Sequence, residues 1–325
     1  MVKDLSSLET APLREPVEAL ARNIAEQVHR WSARHETLRC WLLLDPARSD
    51  AREEFAAIDS GAVESAVKVP LQYTRFPRRL WPVLVPVDLA RNASATLFER
   101  AIQMAVEDMQ PFRLARKNGI RIPAWAWTTQ PGLEIARHIA AQSRQIRGAD
   151  ARFLRFFDPL VMDPLWSGLS ADQRCALISP FAEWQYVGRN GEWCRRASDQ
   201  SAPTPDLEST ESRLRLSAEQ WSICDAIDAM NVAIAEAGAT RAIDVTTGRL
   251  AQLLRALGAA QARGLTGHDD LAGLCRMLLR IGLHFPDHSE MQPVWAAVAR
   301  GESWEDAMGK LEANAWERVM AASAA

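Results

Sequence analysis

The sequence predicts an α/β lobe with a mostly parallel sheet and a β-hairpin, followed by an all-α lobe. Three observations predict it. Strand-like and helix-like segments alternate through the first 160 residues, Asn190-Gly191 sits between two aromatic-rich runs, and the pattern beyond residue 212 has helical period only. Residues 15–196 are read as the α/β lobe, 197–212 as a linker and 213–325 as the helical lobe.

Residues 17–31 open the chain as an amphipathic helix, because Leu20, Ile24 and Val28 recur every fourth position. The apolar run Leu38 to Leu44 then reads as a buried strand. It ends in Asp45-Pro46, the signature of an N-cap with proline just inside a helix, placed at 48–59. "VKVPLQ" and "PVLVPVD" follow as a weaker and a better strand, and "TLFERAIQMAVEDM" as a helix with Leu97, Ile102 and Val106 inward. "RIPAWAWTT" is a strand that sets Trp125 and Trp127 on one face, since they are two apart. Residues 128–147 make the next helix, capped by Thr128 or Thr129, with Ile135, Ile139 and Ile146 on its apolar side. "RFLRFFDPLV", residues 152–161, reads as a strand buried on both faces with Arg155 at its middle. An unpaired guanidinium there would cost several kcal/mol, so Arg155 needs either a waiting carboxylate or a polar cleft.

A short helix at 170–178 precedes the hairpin that carries Trp184, Tyr186 and Trp193. "ASDQSAPTPDLESTES" holds one large apolar side chain in sixteen residues, as a linker or long loop would. Beyond it, Ser217 and Gln220 form a capping box before Ile223, Ile227, Met230 and Ile234, and Gly238 is expected to stop that helix. Leu250 to Leu257 and Leu271 to Ile281 mark two more, ending near Gly264 and Gly282. Two Trp-bearing helices close the chain, around Trp295 and from Ser303 to about Met320.

Composition narrows the function classes. With 48% hydrophobic and 24% charged residues the chain is an ordinary globular protein. A net charge of −3 and the lack of any Lys/Arg-rich run speak against nucleic acid and against an anionic membrane surface as partners. The first residues lack the apolar core of a signal peptide, so a cytoplasmic location is expected. The five cysteines are odd in number and never form a CxxC pair, which argues against a disulfide framework or a thiolate zinc site. Basic charge is carried almost wholly by Arg, and Trp outnumbers Tyr 12 to 2; Trp with Arg dominates anchors at protein interfaces.

No enzyme signature emerges from the motifs. His284 and His288 have the i, i+4 spacing of metal ligands, but Pro286 lies between them and breaks the helix that the spacing requires. Neither a metal nor any other cofactor is expected. Asp45 stands at a strand end, where a phosphotransferase carries its nucleophile, but Ala47 occupies the position of the second Asp in such a site. A hydrolase or phosphotransferase using Asp45 or Asp158 is the alternative reading. His138 could act as a general base, although a lone His on a helix is more often structural. GxSxG, P-loop and GxGxxG patterns are all missing.

"FLRFFDPLVMDPLWSGLSADQRCALISPFAEW", residues 153–184, resembles the hallmark segment of the adaptor, or effector-chaperone, family of bacterial type VI secretion systems. The matching residues are Arg155, Phe156, Phe157, Asp158, Pro159, Pro180, Phe181 and Trp184. "WLLLDPA" at 41–47 and "WAWTT" with "LEIARHI" at 125–139 extend the likeness, and the helical lobe is similar mainly in layout. Departures are Phe157, where Tyr is commoner, and Thr128, where a small Ser is common. The resemblance implies a non-enzymatic role: binding a toxic effector in the cytoplasm and helping to load it onto the spike protein VgrG. On this reading Arg155 pairs with a carboxylate near the sheet's carboxyl edge and Asp158 caps the next helix, forming one wall of a cleft between the lobes. Trp125, Trp127 and His138 are candidates for that region. Trp295, Trp304 and Trp316 are candidates for partner contact, because a small lobe does not easily bury three indoles.

Overall fold

The computed structural model describes residues 17–47, 49–72, 76–115, 119–197, 213–240 and 246–323. Residues 198–212, nearly all of the expected linker, lie outside them. The chain forms two compact units, one running to Leu216 and one beginning at Ser217.

The first unit contains, in order, α1 (Val17–Ser32), β1 (Arg39–Leu44), α2 (Arg52–Ile58), α3 (Ser60–Glu64), β2 (Val67–Lys68), β3 (Val83–Val87), α4 (Asn92–Asp108) and α5 (Pro111–Ala115). It continues with β4 (Ala124–Thr128), α6 (Gly132–Ser143), β5 (Arg144–Arg147), β6 (Asp150–Phe153), α7 (Pro159–Gly168), α8 (Ala171–Ile178), β7 (Glu183–Val187) and β8 (Trp193–Ala197).

Six strands form one sheet in the order β2-β3-β1-β4-β7-β8, and every neighbouring pair is antiparallel. This overturns the mostly parallel sheet that the alternation predicts. The registers give the reason. β1 and β2 run in the same direction, as do β3 and β4, so the crossovers through α2–α3 and α4–α5 do join like-directed strands. Those strands are not neighbours, however. β3 lies between β1 and β2, and β1 lies between β3 and β4, which is a split βαβ arrangement used twice. In these two crossovers alternation gives the strand direction and leaves adjacency open, whereas β4 and β7, joined through α6, α7 and α8, are antiparallel neighbours.

Both faces of this sheet are covered. Cys40, Leu42 and Leu44 of β1, alternate valines of β3, and Trp125 and Trp127 of β4 share one face, packed against Ile24 and Val28 of α1, Phe55 of α2 and Leu97, Phe98 and Ile102 of α4. Trp41, Ala126, Trp184 and Tyr186 point to the other face, under α6, α7 and α8. Here α6 comes so close that a Cβ on Gly132 would stand 2.4 Å from the Trp41 ring, so only glycine fits.

Three local predictions shift. Asp45 does not cap the following helix; its Oδ1 accepts from Ala47 N at 3.1 Å in an Asx turn, and α2 starts only at Arg52. The helix predicted to 147 begins at Gly132 and ends at Ser143, and neither Thr128 nor Thr129 caps it. Arg144–Arg147 instead pairs with Asp150–Phe153 as a second, two-stranded sheet, turned by Gly148 at φ +60°, which leaves Ile146 53% exposed. The hairpin of β7 and β8 has a three-residue loop. Gly191 N donates to Gly188 O at 3.0 Å and Gly191 takes φ +77°, the type I turn with a left-handed glycine bulge in place of a two-residue turn.

The second unit is helical: α9 (Ala218–Thr240), α10 (Thr247–Ala262), α11 (His268–Arg280), α12 (Gln292–Ala299), α13 (Trp304–Met308) and α14 (Ala313–Ser323). Ser217 and Gln220 form the capping box, with Gln220 N to Ser217 Oγ at 3.2 Å and Ser217 N to Gln220 Oε1 at 2.8 Å. Gly238 does not stop α9, which runs two residues further. α9 packs against α10 and α11, and Ile227, Met230, Leu253, Leu257, Leu274 and Leu278 on these helices are all buried. The last predicted helix splits into α13 and α14. Among the described residues no helix is long and apolar enough to cross a membrane.

Candidate functional site

Arg155 is not in a strand. β6 ends at Phe153, and Arg155 to Asp158 form a turn closed by Asp158 N donating to Arg155 O at 2.9 Å. Leu154, Phe156 and Phe157 are buried because the turn tucks them under the sheet, which in sequence mimics a strand apolar on two sides. The guanidinium Nη2 donates to Asp45 Oδ2, 110 residues earlier, and lies 3.8 Å from Asp158 Oδ2. Asp45 follows β1 directly, its side chain is 1% exposed, and its N–H donates to Arg121 O at 3.0 Å. Asp158 caps α7 by accepting from Leu160 N at 3.0 Å. The guanidinium carbon also lies 5.5 Å from the Phe157 ring centroid, a cation–π contact. Arg155 thus has its carboxylate, and one side chain ties β1 to the start of α7.

The aromatic residues of the same segment interlock. Phe156 and Phe157 meet edge to face at 5.9 Å, Phe156 lies 6.0 Å from Trp184, and Phe181 lies 4.9 Å from Trp184. The Thr128 hydroxyl donates to Pro180 O at 2.5 Å, so this position ties β4 to the chain entering β7.

His138 on α6 is 3% exposed, with its ring edge-on to Phe181 at 5.7 Å and Nε2 donating to Leu177 O at 2.8 Å. Burial lowers its pKa to about 4, so the imidazole is neutral at pH 7 and serves as a brace between α6 and α8. Between about 4 and 6.5 the unfolded chain takes a proton that the folded chain refuses, so stability falls as pH drops through that window. Going from pH 7 to pH 5 should cost about 2 kcal/mol from this residue. His138→Gln, which keeps a donor toward Leu177 O, should lose that part of the dependence in urea titrations; an unchanged slope would assign the dependence elsewhere.

Trp125 and Trp127 are inside the core, Trp125 against Phe98 at 6.0 Å and Trp193 at 4.9 Å, Trp127 against Trp31 at 4.9 Å. In the helical unit Trp304 is buried, while Trp295 and Trp316 are half-buried. Trp295 donates to Pro286 O at 2.8 Å, meets the tilted Trp304 ring at 5.4 Å and lies under Arg263 at 4.8 Å. The structure therefore brings Arg155, Asp158 and Asp45 together, holds the β4 tryptophans in the opposite core layer, and places the later tryptophans in the other unit.

Two further groupings have little or no signature in the sequence. Asp163, on the apolar helix α7, accepts from the Tyr186 hydroxyl and from Arg196 Nη2, the latter at 3.1 Å. Burial raises the pKa of both Asp163 and Tyr186. Its one sign in the sequence is a carboxylate inside "PLVMDPLW". The second grouping is a cavity of about 280 Å³ between α1 and the β7–β8 hairpin, lined by Gln27, Arg30, Trp31, Arg34, Trp193 and Arg195. Arg195 pairs there with Glu183, which also accepts from Gln185 Nε2 at 2.6 Å, and its guanidinium carbon lies 5.4 Å from the Trp31 centroid. Among the described residues no group of three or more His, Cys, Asp or Glu could hold a metal ion. Compared with protein-family models, curated proteins and solved structures, the chain matches none of them.

Proposed function

We propose that the chain is a cytoplasmic adaptor that binds a type VI secretion effector and helps load it onto VgrG. The reading begins with the resemblance of residues 153–184 and is supported by one structural observation. Arg155, Phe156, Phe157, Asp158, Phe181 and Trp184, scattered over that segment, converge on a single knot that joins β1, α7 and β7. Residues that define a family by their mutual packing are expected to meet in this way, as fold-holding elements under a binding surface.

The enzymatic alternative gains nothing from the same geometry. Asp45 gives one oxygen to Arg155 and the other to Ala47 N, and Asp158 gives one to Leu160 N, so both carboxylates are engaged in holding the turn and helix start. A tagged copy expressed in its own host should bring down an effector and VgrG, identified by mass spectrometry. Recovery of neither, or a turnover activity that Asp45→Asn abolishes, would replace this reading.

A further inference from the structure

We infer that the outer edge of β8, together with the arginine- and tryptophan-lined cavity beside it, is the docking site for an extended acidic segment of a partner polypeptide. The inference rests on the adaptor reading only for who supplies that segment, a client effector or the spike protein.

β8 is the last strand of the six-stranded sheet, and among the described residues no strand pairs with its outer side. The hairpin register fixes what that side offers. Gly188 N donates to Glu192 O at 2.8 Å, and antiparallel pairs alternate, so Cys194 and Arg196 turn their N–H and C=O toward β7. Trp193, Arg195 and Ala197 turn theirs outward. The Arg195 carbonyl takes a 3.3 Å bond from Arg196 Nη1, a side chain able to swing away. An added strand would therefore find backbone partners along β8. The side chains of Trp193 and Arg195 lie on the sheet face that carries Trp125, because Gln185 pairs with both Trp125 and Arg195. That face is also the one roofed by α1, whose last turns line the cavity.

Charge selects the occupant. Arg195 is already neutralised by Glu183. Arg30 and Arg34 are exposed, use Nε on the helix carbonyls of Glu26 and Arg30 at 3.2 Å each, and form no ion pair among the described residues. Two guanidinium groups on the rim suit a strand with carboxylates at alternate positions, which sets them all on the face that α1 roofs, while the side chains between them fall on the opposite face of the sheet. A second copy of this chain fits poorly, since β8 paired in register with itself sets Arg195 opposite Arg195.

The probe is a fluorescein-labelled ten-residue peptide alternating Glu and Val, with an alternating Lys and Val peptide as control, followed by anisotropy with the full chain. The Glu peptide should bind and the Lys peptide should not. Arg30→Glu with Arg34→Glu should weaken binding about tenfold without moving the melting temperature, as both side chains are exposed. Ala197→Pro, which removes one outward N–H at the strand end, should weaken it severalfold. Equal binding of both peptides, indifference to charge reversal, or a dimer dissolved by Ala197→Pro would overturn the inference. If the charge-reversed chain still captures the same proteins from its host as wild type, the inference fails while the adaptor reading stands. If wild type captures no effector or VgrG yet binds the Glu peptide as described, the site stands and the adaptor reading falls.

Discussion

Asp45→Ala should cost the first unit about 3–5 kcal/mol, read as a lower urea midpoint at constant slope. The substitution strands the Arg155 guanidinium, 83% buried by its 17% side-chain exposure, with Asp158 Oδ2 at 3.8 Å as its remaining carboxylate. It also removes the acceptor for Ala47 N, so the chain leaving β1 loses its turn. Arg155→Ala should act in the same direction, because it takes the guanidinium away from the buried Asp45 carboxylate. Since the pair joins two elements distant in sequence, the adaptor reading expects effector capture to fall together with melting temperature in both variants. Arg155→Met combined with Asp45→Leu should recover part of the loss, because well-packed apolar groups replace a buried ion pair at little cost once both charges are gone. A single variant that melts like wild type but no longer captures its partner would show instead that Arg155 contacts the partner directly.

Trp125→Ala should lose a comparable amount, about 3–5 kcal/mol, by leaving a cavity in the centre of the sheet. Trp125 is fully buried between Phe98 and Trp193. Among the described residues its indole N–H has no hydrogen-bond partner, so the loss is one of packing. The same variant should weaken acidic-peptide binding under conditions where it is still folded, because Trp193, a wall of the cavity near α1, rests on the Trp125 ring. A loss below 1 kcal/mol in urea unfolding would mean that neighbouring side chains close over the gap.

Much of the secondary structure is legible in the sequence because period and caps act locally. Leu20, Ile24 and Val28 suffice for α1, and Ser217 with Gln220 for the start of α9. The errors have physical causes. Ile146 falls seven residues after Ile139 and so keeps helical phase, yet the chain has already left α6 for a hairpin turned by Gly148. Phe153, Leu154, Phe156 and Phe157 have the density of a buried strand, but the chain leaves β6 at Phe153 and the turn that follows buries Leu154, Phe156 and Phe157 just as well. For the site, the need of Arg155 for a carboxylate follows from desolvation alone, whereas its partner at position 45 depends on topology. The cavity beside α1 is hidden for the same reason, since Arg30, Arg34 and Arg195 meet only once β8 is laid beside β7.

The doubled split topology has a consequence for synthesis on the ribosome. β1, buried along its length after Arg39, is bordered by β3 and β4, and the later of these ends at Thr128. A nascent chain that has released β1 and its next two helices holds that strand with neither neighbour available. Loop closure over so long a span is slow, and an unpaired apolar edge attracts other chains meanwhile. This protein should therefore depend on shielding by cellular holdases until β4, which ends at Thr128, has emerged.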